Sequence, residues 1–371
     1  MATATRPAPA ATTTPPRSVV TRAAAAVAGL AVAVVLVVAP LVSSPYINFQ
    51  LASIMVFAVA LLGLNVIMGY TGQVSLGQSA FLGLGAYITA YGVLNDWPIA
   101  LSLLLSAVVP AAVGMLVALA AARLRGLALA MITLALPIIG VPLARRFDGF
   151  TGGSQGQVVS WLRAPESLGL ANDQWRYYVV AVIALVAFLL VRNLVRGRIG
   201  RSFAIVKENE AVALSMGVSP YRTKVLAFTI ASALGGLSGF MYLAVVQYTS
   251  PETLVFATSI NLVAAMVIGG SASIVGTALG ALYYVLVPVL AGQVNSSRTA
   301  LISGAVLLAV LFVLPAGLVS LPRRLARRRS ARRGTRTAPH DTADDAATPT
   351  STDGSAPAVP APAATTTDQH P

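Results

Sequence analysis

The sequence predicts an all-α polytopic membrane protein of about ten transmembrane helices. Three observations lead there. Hydrophobic residues make up 56% of the chain and charged ones 10%, with a mean hydropathy of +0.78, whereas soluble domains carry roughly 25% charged residues. Stretches free of Asp, Glu, Lys and Arg, such as Ala23 to Val42, recur at the length of ~20 residues that a hydrocarbon core requires. The basic clusters fall in the two tails and one internal loop.

In chain order, residues 1–22 are rich in Ala, Thr and Pro and are expected to be a disordered tail. Spans are expected at residues 23–42, 49–70, 75–95, 99–122, 126–144, 177–194, 225–246, 257–271, 275–292 and 299–320. The first is too long for the core of a secretory leader and is read as an uncleaved span. The segments near 75–95 and 257–292 are rich in Gly, Ser and Thr, and a broken or re-entrant helix fits them as well. The transmembrane domain thus covers residues 23–322, with a polar loop at 195–224. Residues 323–371 form a tail that is first basic, with eight arginines in Arg323–Arg336, then acidic and Pro-rich. That tail is expected to be solvated, its arginines favouring an anionic lipid surface.

Orientation follows from the positive-inside rule. The basic residues of 1–22, of Arg192–Lys224 and of Arg323–Arg336 all belong on the cytoplasmic side. Ten crossings return both termini there. Arg145, Arg146, Arg163 and Arg176 then fall on the outer side, against the rule, partly balanced by Asp148, Glu166 and Asp173. Because the basic clusters flank apolar spans, they indicate lipid and not nucleic acid.

Several chemistries are excluded. With no Cys there is no thiolate, disulfide or zinc-thiolate site. The only histidines, His340 and His370, lie in the polar tail, so imidazole chemistry is absent from the spans and no metal site is expected. No acid stands at a span centre, as an ion-coupled carrier usually requires. The only lysines, Lys207 and Lys224, follow no glycine, and the GxxxxGK[ST] phosphate loop is missing. No catalytic residue and no cofactor on this chain are expected. Any ATP-driven step needs another polypeptide.

Small residues recur at helix-packing spacing: Gly235 with Gly239, Gly276 with Gly280, and Ser75, Ser79 and Gly83. The most distinctive local stretch is the loop Gly197 to Phe228. There Arg201 to Met216 is expected to form one short amphipathic helix, stopped by Gly217 and followed by Pro220. Such a helix can act as a rigid knob docked in a groove of a motor subunit; a helix lying on the membrane, or a plain folded loop, fits the same residues.

Glu208-Asn209-Glu210-Ala211 through Gly217 resembles the EAA-type coupling loop of ABC importer permeases. Other blocks agree with it in order. They are Leu64-Asn65 with Gly69-Tyr70-Thr71-Gly72-Gln73-Val74-Ser75-Leu76-Gly77, then Ala80-Phe81 through Gly85-Ala86-Tyr87, and Leu124-Arg125-Gly126 with Thr133-Leu134-Ala135. Thr151-Gly152-Gly153-Ser154-Gln155-Gly156 follows, then Ser250-Pro251-Glu252, and Gly269-Gly270 with Ser273 and Gly276. From about Phe49 to Leu321 the chain resembles the LivM-type permeases of branched-chain amino-acid ABC importers.

The resemblance implies a type II-like ABC importer permease core. It also implies four kinds of partner beyond the lipid bilayer: a second related permease, two ATP-binding subunits, an extracytoplasmic substrate-binding protein, and the cargo it delivers. Arg201, Glu208, Asn209, Glu210, Ala211 and Gly217 would couple the spans to the ATPases. Gly72, Ser75, Gly77, Ser79, Thr133, Asn261, Gly269, Gly270, Ser273 and Gly276 would line the pathway or the helix core. For the glycines, packing alone explains them as well as solute contact. Each hydroxyl has the alternative of bonding back to its own helix. Pro137, which interrupts the fifth span, Asn261 and Thr277 depart from the family pattern. Branched-chain amino acids, urea, short amides or aromatic degradation products therefore remain open as cargo. The alternative function is a carrier or channel that works without partners; a third is a membrane scaffold held by its arginine tail.

Overall fold

The longest α-helix among the described residues is also among the richest in small side chains, and its neighbours assemble around it. The computed structural model describes residues 36–121, 127–295, 298–313 and 317–320. Its α-helices are α1 (Pro45–Leu64), α2 (Gln78–Leu94), α3 (Ile99–Ala121), α4 (Leu127–Arg146), the single turn α5 (Asp148–Thr151) and α6 (Asn172–Arg196). Then come α7 (Arg198–Glu208), α8 (Glu210–Ser215), α9 (Pro220–Val246), α10 (Phe256–Gly269), α11 (Ile274–Val294) and α12 (Thr299–Val313). The tails 1–22 and 323–371, all of the expected first span but residues 36–42, and the Leu124-Arg125-Gly126 block lie outside the described residues.

Among the described residues, six segments are long and apolar enough to cross a membrane: Pro45–Tyr70, Ile99–Ala121, Ala128–Arg146, Asn172–Arg196, Pro220–Val246 and Ile274–Val294. The helices α2, of 17 residues, and α10, of 14, are shorter. At ~1.5 Å per residue they reach about 26 and 21 Å, less than the ~30 Å of a hydrocarbon core. These are the two regions whose Gly, Ser and Thr content allowed a broken helix.

Two spans form the centre. In Pro45–Tyr70 and Pro220–Val246 the apolar windows are 72% and 67% buried, against 22–28% in the other four. The reason is side-chain size. A Cβ on Gly236 of α9 would collide with the Ser106 carbonyl and the Pro110 ring of α3, and one on Gly239 with the Leu82 carbonyl of α2. A Cβ on Gly85 of α2 would in turn meet the Gly236 backbone. Three backbones therefore touch where bulk is missing, and dispersion contacts accumulate. Pro110, Pro137, Pro142 and Pro288 all lie inside helices without ending them. The expected interruption at Pro137 is thus corrected: α4 runs through it to Arg146.

The expected single helix from Arg201 to Met216 is also corrected. Asn209 takes an extended conformation (φ −161°, ψ 122°) and divides it into α7 and α8. The Asn209 side chain accepts from the amides of Ala211 and Val212, capping α8. At the opposite end of the bundle β1 (Gln157–Val158) pairs antiparallel with β2 (Tyr248–Thr249), Gln157 facing Thr249.

Candidate functional site

The loop hairpin is rooted in the helix bundle. Gly200, Phe203 and Val206 of α7 recur every three residues and are buried, Phe203 completely. Both lysines of the chain tie the hairpin down. Lys207 Nζ donates to the Gly69 carbonyl at 2.7 Å, and Lys224 Nζ of α9 donates to Glu210 Oε1 at 2.7 Å. The tip is different. Val212, Leu214 and Met216 are 48%, 63% and 63% exposed. Gly217 ends the hairpin at φ +75°, the left-handed region, with the Val218 amide bonded to the Ala213 carbonyl. Arg201, Glu208, Asn209 and Ala211 are exposed, and Glu210 is half-buried.

The carbonyl that Lys207 binds belongs to the Leu64–Gly77 block. There α1 widens into a π-turn, Asn65–Tyr70, and the chain then runs without regular structure to Gln78. π-Turns leave carbonyls and amides in need of other partners. This stretch bonds within itself and to α1 and α4. The Gln73 amide bonds the Ile67 carbonyl, Gln73 Nε2 donates to Thr71 Oγ1, and the Leu76 amide donates to Thr133 Oγ1 of α4. Gln78 Nε2 donates to the Ala60 carbonyl at 3.0 Å. Gly72 (φ +70°) lies against the Lys207 side chain, and Gly77 against the Thr133 carbonyl.

Asn65, fully buried, reaches across to the break between α10 and α11. Its Oδ1 accepts the Ala272 amide at 2.8 Å, and its Nδ2 donates to the Ser273 carbonyl at 3.0 Å. That break holds two residues at positive φ, Gly270 at 109° and the non-glycine Ala272 at 57°. Ser273 caps α11 by accepting the Gly276 amide.

The remaining singled-out residues divide. Ser79 and Ser259 share a hydroxyl–hydroxyl bond of 2.7 Å, Ser259 donating, and Ser79 donates onward to the Leu254 carbonyl. Thr133 bonds back to Ala130 as well as accepting from Leu76. Ser75 is buried and Asn261 exposed. Gly269 and Gly276 face each other, and a Cβ on either would strike the other's backbone, which is packing. A groove of about 490 Å³ lies between α2, α3 and α4 and is apolar; Ser75, Ser79 and Thr133 do not line it. Among the described residues no group of three His, Cys, Asp or Glu could hold a metal.

The structure therefore joins three blocks that are far apart in sequence: the loop, the Leu64–Gly77 block and the Gly269–Gly276 block. Sequence reasoning assigned no role to Lys207, Lys224, Asn65 or Ala272. An asparagine directly before Glu210 carries an N-cap signal that points to Asn209. Nothing local announces the lysines, whose partners lie 138 and 14 residues away.

Residues 46–314 match the family described as branched-chain amino acid transport system / permease component. The high-affinity branched-chain amino acid transport system permease protein LivM of Salmonella typhimurium is 31% identical over 306 residues, 74% of this chain and 70% of its own. LivM of Escherichia coli is 31% identical over 299 residues, 72% and 69% of the two chains. The autoinducer 2 import system permease protein LsrC of Klebsiella pneumoniae is 31% identical over 122 residues, 32% of this chain and 33% of its own.

Proposed function

The chain belongs to the permease component family of branched-chain amino acid transport systems, and from that premise we propose that it is the membrane-spanning half of an ATP-driven importer. It is a multi-pass membrane protein and a transport subunit. In the proposed assembly it pairs with a second related permease, two ATP-binding subunits on the cytoplasmic side and an external binding protein that delivers a branched-chain amino acid or a related small polar solute. Both termini are cytoplasmic and the membrane is the bacterial inner one.

One observation carries the reading: a hairpin fixed at its root and apolar at its tip. Phe203, Lys207 and Lys224 hold the root, while Val212, Leu214 and Met216 face outward. Covering such side chains contributes about 1–2 kcal/mol each, since they are already partly shielded. A partner docked there moves the root with it. Arg201 and Glu208 offer a charged rim, Ala211 lets the partner approach, Asn209 and Gly217 fix the shape of α8, and Glu210 locks it to α9. The pathway is proposed to pass near the irregular backbone at Gly72–Gly77 and Gly270–Ser273, beside Ser79, Thr133 and Asn261, where hydroxyls and carbonyls replace hydration without trapping the cargo.

Reconstitution tests this. Proteoliposomes holding this chain alone should hydrolyse no ATP and take up no radiolabelled leucine. Adding the second permease, the ATPases and the binding protein should give ATP-dependent uptake, and competition with isoleucine, valine, urea and short amides ranks the cargo. Flux through the chain alone, or uptake driven by an ion gradient, would overturn the proposal in favour of a partner-independent carrier.

A further inference from the structure

We propose that Lys207 and Asn65 are positioning residues that transmit movement of the loop hairpin to the Gly270–Ser273 break, through the Gly69 carbonyl and the π-turn between them. The inference rests on the importer reading for its purpose, but its geometry stands apart from that reading. Lys207 is the last basic residue of α7 and donates at 2.7 Å to the Gly69 carbonyl. Gly69 lies directly over Asn65: a Cβ there would meet the Asn65 amide oxygen and the Ala272 amide nitrogen. Asn65 then holds both sides of the break, accepting from Ala272 and donating to Ser273. Three consecutive contacts thus join residues 207, 69, 65 and 272–273.

The two ends of this series suit transmission. α7 is anchored by Phe203 and moves with its root. The break interrupts helical structure between Gly269 and Ile274 and holds a non-glycine residue, Ala272, at positive φ. A residue held there in a sparsely populated conformation persists only while its surroundings impose it. Asn65 is what imposes it. Shifting Gly69 shifts Asn65, and the break then has a second, relaxed geometry available. A π-turn supplies the compliance, since its wider turn can tighten to α-helical bonding without unfolding the helix. Transmission requires an element with two arrangements whose balance both ends bias, and the proposal assigns that role to the break.

The test has two arms on the full chain. Hydrogen exchange on purified protein in nanodiscs reads the break directly. Lys207→Met should speed exchange of the 270–273 amides by about tenfold, the effect of losing one charge-assisted hydrogen bond. Lys207→Arg, which keeps a donor, should restore it, and Arg192→Met, an exposed position on α6 outside the hairpin, should leave it unchanged. Asn65→Ala should speed it further, and the double variant should equal Asn65→Ala alone. Unchanged exchange in Lys207→Met overturns the link. In the reconstituted transporter, Lys207→Met should leave subunit stoichiometry intact while uptake per ATP falls several-fold, again rescued by Lys207→Arg. Faster exchange with undiminished uptake per ATP overturns the transmission role while sparing the link. If the wild-type assembly shows no ATP-dependent uptake, the importer reading falls and the exchange arm still judges the link.

Discussion

Lys224 and Glu210 meet at 2.7 Å across fourteen residues of chain, with 8% of the lysine side chain and 27% of the glutamate side chain exposed. The pair closes the loop hairpin onto α9. Its two members are not equivalent, because the lysine is the more deeply buried. Removing the carboxylate strands an ammonium group away from water, whereas removing the lysine leaves a carboxylate that water can reach. Glu210→Ala is expected to cost about 1–3 kcal/mol and Lys224→Met less. Thermal melting of the purified protein checks this, and the double variant should cost less than the sum. Equal losses from the two single variants would contradict the asymmetry.

Gly217 has open space around it, so only its backbone angle matters. Gly217→Asn should be tolerated, because asparagine visits the left-handed region readily. Gly217→Val should distort the end of α8, at about 1–2 kcal/mol of backbone strain. Uptake per ATP in the reconstituted transporter should fall for valine and hold for asparagine. Equal behaviour of the two would show that the turn geometry is not what the hairpin needs.

Gly236 sits where α9, α2 and α3 touch, with the Ser106 carbonyl and Pro110 ring in the way of any Cβ. Gly236→Val should therefore lower the yield of folded protein and its melting temperature sharply, overpacking costing about 1–3 kcal/mol or more. Gly149→Val, which meets nothing within 4 Å, is the control and should melt like wild type. Size-exclusion profiles and melting curves separate them.

Ser79 and Ser259 tie α2 to α10 through one shared hydroxyl bond, in a site sealed from solvent. Ser79→Ala leaves Ser259 without its acceptor, and Ser259→Ala leaves the Ser79 amide without its own. Each should destabilise by about 1–3 kcal/mol. The double variant should fall well short of their sum, as expected of one network. Additive losses in a double-mutant cycle would mean that the hydroxyls act separately.

Glu252, in the turn after β2, is held below the usual carboxylate range by a hydrogen bond from Ser250, by its own backbone amide and by nearby Arg145. The Arg145 contact is long, 3.9 Å, and both side chains are mostly exposed, so the effect is modest and salt-sensitive. A carboxylate with a lowered folded pKa contributes stability that is fully present above its unfolded value and lost as pH falls through the folded one. Melting temperature on the acid side should therefore drop slightly more steeply for wild type than for Glu252→Gln. Superimposable acid profiles would rule out the contribution.

Much of the bundle is readable in the residue order. Helices α1, α3, α6, α9 and α11 fall where apolar length demands them, since lipid forces backbone bonding to be local. The irregular stretches after Tyr70 and after Gly269 were foreshadowed by Gly, Ser and Thr content. What escaped was the division of the loop helix at Asn209 and the passage of α4 through Pro137. A cap competes with helix propagation only by its actual hydrogen bonds, and a proline is accommodated only if the freed carbonyl is otherwise satisfied.

Residue order alone determined that this chain is a multi-pass membrane protein rich in apolar helices, and that the GxxxxGK[ST] motif is absent from the sequence. Those properties depend on transfer free energies and short motifs, which are sums over neighbours in sequence. Only the folded arrangement decided that Lys207 holds Gly69, that Asn65 clasps the Ala272–Ser273 turn, and that Gly236 lies between three backbones. These pairings depend on distance and direction between segments up to 208 residues apart, and no local propensity encodes them.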